Sequence, residues 1–191
     1  MGRLMARRIG LTLDRVLDEA IALADAEGLG AVTLARLAER LGVRSPSLYA
    51  HVAGLDGLQR ALALHAAGAL KSALQDALEG TSGLDGLRSL ARAYRAFAHA
   101  HPGLYEATQR AVTPGEDPEL SAAFLEVVEV VGRPLRKRGL TGDDVVHAVR
   151  ALRSALHGFI VLERAHGFGL SASIDESFER MVDLLIAGLH G

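Results

Sequence analysis

Residues 33–52, TLARLAERLGVRSPSLYAHV, constrain the fold more than any other stretch, because they spell two short helices around a glycine turn. Thr33 stands where it can cap the first helix, and Val32 where it can staple onto Leu37. Leu34, Leu37, Ala38 and Leu41 recur at helical spacing and define one inward face. Gly42 suits a left-handed stop, after which Val43 points back to the core. The second helix is expected to open with Ser45 as N-cap and Pro46 as first helical residue, where a missing N–H costs nothing. Leu48 and Val52, four apart, then face inward and leave Arg44, Ser45, Ser47, Tyr49 and His51 outside.

A preceding helix completes a unit. Thr12 can cap it, Gly28 can stop it after Glu27, and Leu13, Val16, Leu17, Ala20, Ile21 and Ala24 form its inward face. Three such helices give a helix-turn-helix pair the core it needs. On the outer face, small donors and acceptors near a helix start suit base edges in a major groove, while Tyr49 and His51 suit phosphate oxygens. Pro46 offers apolar contact, as to a thymine methyl. Residues 1–10 carry Arg3, Arg7 and Arg8, a basic arm able to reach a phosphate or a minor groove, or one serving solubility alone. The alternative is an ordinary antiparallel helix pair inside a bundle.

The TLARLAERLGV turn and SPSLYAHV recognition helix, followed by a long helix, resemble the N-terminal domain of TetR/AcrR-type transcriptional regulators over residues 11–64. The resemblance implies operator contacts at Arg44, Ser45, Ser47, Tyr49 and His51, with Tyr49 and His51 gripping phosphate; Pro46 and Thr33 are counted with them as DNA-binding candidates. It also implies a homodimer, a double-stranded DNA operator, and usually repression relieved by a small-molecule effector. One departure stands out: where the family often carries a phosphate-binding lysine, this chain has Leu55 and Asp56, leaving helix-start amides as the substitute.

Charge sharpens this expectation. With 21 basic and 23 acidic residues the net charge is −2, so no global field marks a nucleic-acid binder. Arg36, Arg40 and Arg44 outnumber Glu39 in the helix pair, whereas Asp14, Asp18, Glu19, Asp25 and Glu27 crowd the first helix. Non-specific attraction to DNA is therefore expected to be modest, and two recognition units must act together. Cysteine is absent, which removes disulfides and thiol catalysis. Neither a phosphate-cradling glycine loop nor a helical histidine pair at metal-binding spacing is present, so no enzyme, metal or resident cofactor is expected. Without a signal peptide pattern or an uncharged apolar span, a cytoplasmic protein making no membrane contact is expected.

Helical periodicity continues to the end and predicts an all-α protein of about nine helices, divided into a DNA-binding domain, 1–54, and an effector-binding and dimerisation domain, 55–191. Helices are expected over 55–78, 84–100, 102–109, 119–138 with Pro134 kinking its last turn, 141–166 and 173–189. The last two carry apolar surface too broad for one neighbour, so Leu152, Leu156, Phe159, Ile160, Phe178, Met181, Val182 and Leu185 are expected at a four-helix dimer interface. Finishing the monomer core is the alternative. Tyr94, Phe97, His101, Tyr105, Phe124, Val128, Arg153 and His157 are the candidate lining of a cavity for a small apolar or amphipathic ligand. Residues 152–169 are similar to a TetR subgroup whose signature is Trp-His-Gly, with Leu156 in place of Trp and His157 and Gly158 kept. His157 is then either a ligand contact or a packed, hydrogen-bonded histidine, and Gly158 a site of close helix approach. A helical dimer whose N-terminal unit binds protein rather than DNA is the competing function.

Overall fold

The first helix, α1 (Leu13–Glu27), starts at Thr12, whose hydroxyl accepts from the Arg15 amide at 3.3 Å, and stops at Gly28, where φ is +88°. The computed structural model describes residues 11–81, 83–110, 112–113 and 115–189, so Arg3, Arg7 and Arg8 lie outside the described residues. The buried stripe of α1 is Val16, Ala20, Leu23 and Ala24. Leu13, expected inward, is 40% exposed, because the first turn overhangs the core that the later turns meet. A 3-10 turn, Leu29–Ala31, leads to α2 (Leu34–Leu41). Thr33 caps α2 through the Arg36 amide, and Gly42 ends it in the left-handed region. The Val43 amide then donates to the Ala38 carbonyl at 2.9 Å, closing the Schellman turn that Gly42 permits.

Beyond the turn-helix unit, α3 (Gly54–Leu78) is the central shaft, packing against α1, α4 (Gly83–Ala100), α5 (Pro102–Ala107) and α6 (Pro118–Lys137). Asp117 caps α6 by accepting from the Leu120 amide, with Pro118 in the first turn. Pro134 lies buried inside this helix, which continues to Lys137. Helix α7 (Gly142–Arg164) lies against α4, α6 and α8 (Ile174–Ala187). Together these are eight α-helices among the described residues, all-α as the periodicity predicts, and one apolar core runs from Val16 to Ile186 through both halves.

By length and composition α7 is apolar enough to cross a membrane, contrary to the expectation that no span would qualify. In the bundle its inner face is buried through Val145, Val149, Leu152, Leu156, Phe159 and Ile160, while Arg150 stands outside. That burial also takes in most of the residues expected at the dimer surface. Leu152, Leu156, Phe159, Ile160, Phe178 and Val182 are buried within the protomer itself, and Met181 and Leu185 are half-buried. Phe159 and Phe178 meet edge-on at 5.3 Å, with the Arg95 guanidinium 4.7 Å from the Phe178 ring centre. The broad apolar surface of α8 is thus largely satisfied by α4 and α7. Gly158 is no point of close approach inside the protomer either, since a β-carbon there would meet nothing within 4 Å.

Candidate nucleic-acid interface and effector cavity

The expected recognition helix is a 3-10 helix, Ser45–Ala50, with Arg44 rather than Ser45 at its N-cap. The Ser47 amide donates to the Arg44 carbonyl and the His51 amide to the Leu48 carbonyl, both at 2.9 Å, which are the i to i+3 bonds of that tighter winding. Three residues per turn align positions three apart. Leu48 is fully buried, so Ser45 and His51 flank it on the inward row and are half-buried. Arg44, Ser47 and Ala50 form one exposed row, and Pro46 and Tyr49 another, with Tyr49 61% exposed. In an α-helix Ser45 and His51 would stand among the outer residues, as the sequence spacing predicts. Thr33, half-buried, has its hydroxyl oxygen committed to the α2 cap.

Charge around this row is lower than the sequence count suggests. Arg36 pairs with Glu27 at 2.7 Å and Arg40 pairs with Glu19, so both cations of α2 are held by carboxylates of α1. The hydrogen bond from Arg36 is also what pulls the Glu27 carboxyl below its ordinary range. Arg44 makes no ion pair among the described residues and is the cation presented beside Ser47. At the start of α3, which has no side-chain cap, Asp56 turns toward Arg110 at 2.7 Å while Leu55 is 39% exposed.

In the C-terminal half, α3, α4, α6 and α7 enclose a cavity of about 110 Å³. Tyr94, Phe124, Val128 and Arg153 line it as expected; Phe97, His101, Tyr105 and His157 do not. Phe97 packs in the core against the His101 ring, and His101 is exposed with Nδ1 3.4 Å from Asp25. Tyr105 and His157 form a hydrogen bond of 2.7 Å beside the cavity, with Tyr94 edge-on to Tyr105. Burial holds the His157 imidazole below its ordinary pKa, with the Arg153 charge adding to it, and burial pushes the Tyr105 phenol far up. Both are therefore neutral near pH 7, with the His157 imidazole packed against and hydrogen-bonded to Tyr105. Most of the remaining wall is aliphatic, including Leu70, Leu74 and Leu87, whose apolar type does not distinguish a cavity wall from a filled core.

The joint between the two halves went unread in the sequence. Helix α5 has no cap of its own; Asp25 of α1 supplies it, its carboxylate accepting from the amides of Gly103 at 2.7 Å and Leu104 at 3.3 Å. Glu106 of α5 returns the contact by accepting from the Leu29 amide at 3.1 Å. Between these caps the helices touch so closely that a β-carbon on Gly103 would sit 2.3 Å from the Ala24 carbonyl carbon. Within the bundle, Arg60 of α3 forks onto Asp117 and also reaches Glu119 at 2.7 Å, tying α3 to the start of α6. That hydrogen bond, with the Leu120 amide, keeps the Asp117 carboxyl below its usual range. Long-range capping partners, 78 residues apart for Asp25 and Gly103, leave no periodic signal.

A three-helix reader joined to a helical bundle with an internal cavity is the architecture of a one-component regulator. Residues 16–62 match the family described as bacterial regulatory proteins of the tetR family, and residues 87–185 match the tetracyclin repressor-like C-terminal domain. The chain is 36% identical over 186 residues to the uncharacterized HTH-type transcriptional regulator YobS of Bacillus subtilis, covering 97% of this chain and 96% of YobS. Among solved structures, a protein of unknown function from Rhodococcus sp. RHA1 superposes with a TM-score of 0.81 at 22% identity, over 99% of this chain and 100% of that one. ActR of Streptomyces coelicolor, solved in complex with (S)-DNPA, superposes with a TM-score of 0.64 at 23% identity, over 94% of this chain and 97% of ActR. The chain belongs to the TetR family of helix-turn-helix transcription regulators.

Proposed function

We propose that two copies of this chain bind a palindromic DNA operator, repress the genes it controls, and release it when a small molecule enters the α3–α4–α6–α7 cavity. In this reading residues 1–54 are the reader and 55–191 the effector and dimer domain. The observation that carries it is the reciprocal capping of α1 and α5, because it fastens the reader to a helix whose C-cap residue, Thr108, lines the cavity. Arg44 and Ser47 meet base edges and Pro46 a thymine methyl. Tyr49 grips phosphate, with Ser45, Thr33 and His51 at the margin and the α3 start taking the role of the missing lysine. ActR holding a small molecule in the same fold supports the cavity's role.

The dimer forms through the face of α7 and α8 left outside the protomer core. Ala151, Ser154, Gly158, Val161 and Leu162 recur at helical spacing on α7 and are exposed, as is Leu184 on α8 at 75%. Helix pairs joined there give a four-helix interface with two-fold symmetry. His157 and Gly158 in mid-α7 support placement in the Trp-His-Gly subgroup. Each recognition helix must then enter successive major grooves about 34 to 36 Å apart, and a ligand favouring another spacing releases DNA. A 100-fold loss of operator affinity needs roughly 2.7 kcal/mol of ligand preference for the released state. Selection of genomic fragments by the purified protein tests the reading. A recovered palindrome supports it; salt-sensitive binding with no sequence preference, or none at all, would favour a protein-interaction module.

A further inference from the structure

Three polar side chains reach the cavity: Tyr94, Thr108 and Arg153. None is a carboxylate, and the Thr108 hydroxyl is already engaged, donating to the Tyr105 carbonyl and accepting from the Gln109 amide nitrogen at 2.7 Å each. Arg153 is different. Its Nη2 donates to the Gln109 side-chain oxygen at 3.1 Å, a neutral partner, and it makes no ion pair among the described residues. Around the same bundle Arg60, Arg88, Arg92, Arg95, Arg110 and Arg136 are each paired with a carboxylate, and of the arginines that make no ion pair among the described residues only Arg153 lines this cavity. An uncompensated guanidinium at the rim of an otherwise aliphatic cavity has a positive field to offer, and that charge is felt by the neighbouring His157 and Tyr105.

We propose, building on the effector reading above, that the ligand is an amphipathic monoanion: an apolar tail among Leu70, Leu74, Leu87, Phe124 and Val128, and a carboxylate that takes Arg153 from Gln109. The exchange favours the ligand because an ionised acceptor forms a stronger bond to guanidinium than an amide oxygen does. It also links occupancy to the reader. Gln109 lies just past α5, whose opposite end is capped by Asp25 of α1, so taking Arg153 from Gln109 removes the hydrogen bond by which α7 holds the segment after that helix.

Calorimetric titration of the full-length protein with hexanoate and octanoate, each against its primary amide and its alkylamine, tests the assignment. Octanoate is expected to bind about tenfold more tightly than octanamide, with octylamine weakest. Arg153→Gln should abolish the preference for carboxylate over amide, and Arg153→Lys should retain part of it. Equal or tighter amide binding, or a carboxylate preference that survives Arg153→Gln, would overturn the anion assignment while leaving an effector cavity in place. No binding of any probe would overturn both.

Discussion

Gly103→Ala is the most direct perturbation of the joint between reader and bundle. The added β-carbon would lie 2.3 Å from the Ala24 carbonyl carbon, 2.4 Å from its β-carbon and 2.7 Å from its oxygen. Ordinary contact begins at 3.4 Å, so α1 and α5 must part by about 1 Å. Two of the three obstructing atoms are backbone and cannot swing away. Overpacking of this kind costs about 1 to 3 kcal/mol. For a chain of this length each kcal/mol lowers the melting temperature by about 2 to 4 °C, so a fall of at least about 2 °C is expected by calorimetry. The parted helices also stretch the 2.7 Å bond from the Gly103 amide to Asp25, so operator affinity should fall in the same variant. Ala24→Gly, which removes only the β-carbon among the obstructing atoms, should restore less than half of the loss. A Gly103→Ala protein melting within about 1 °C of wild type, with operator affinity unchanged, would refute the claim that this crossing is tight and coupled to the reader.

Other expectations separate the roles assigned along the chain. Tyr49→Phe should weaken operator and non-operator DNA by similar factors in fluorescence titrations, whereas Arg44→Ala should cost up to about 1 to 3 kcal/mol and relax preference at one base per half-site. Ser45→Ala, on the inward row, should leave the preference profile unchanged; a profile altered at Ser45 but not at Ser47 would contradict the 3-10 register. His157 has a lowered pKa in the folded protein, so the unfolded chain takes up its proton first and stability contributed by the neutral imidazole is lost as pH falls below about 6.5. His157→Gln should therefore gain on wild type in melting temperature as pH drops through that range, and a constant difference would argue against the buried neutral form. Gly68→Ala, where a β-carbon meets nothing within 4 Å inside α3, should raise stability by about 1 kcal/mol in urea unfolding, and a loss there would mean that another surface covers it.

Legibility differed from element to element for identifiable reasons. The caps at Thr12 and Thr33 and the stop at Gly42 are local events, settled within four residues, and all three stand where the sequence put them. The 3-10 winding of Ser45–Ala50 was not legible, because Ser-Pro-Ser starts either kind of helix and the choice is made by Leu48 fitting the reader's core. One change of winding was enough to turn Ser45 and His51 inward. In the bundle, Tyr94, Phe124, Val128 and Arg153 were placed at the cavity, but Tyr105 and His157 turned to each other. An aromatic on an inward face has several neighbours to choose from, and only packing decides among them.

The all-α class, the order of the helices and the family itself follow from the sequence, since periodicity of apolar residues, capping residues and glycine stops act over one or two turns. Which apolar surface stays outside, and which distant groups hold the two halves together, depended on the tertiary structure. The α7 and α8 residues that look like an interface are taken up by their own protomer, and Asp25, one acid among several in α1, becomes the cap of a helix 78 residues away. Such pairings are set by the directions in which helices cross, which no local pattern encodes.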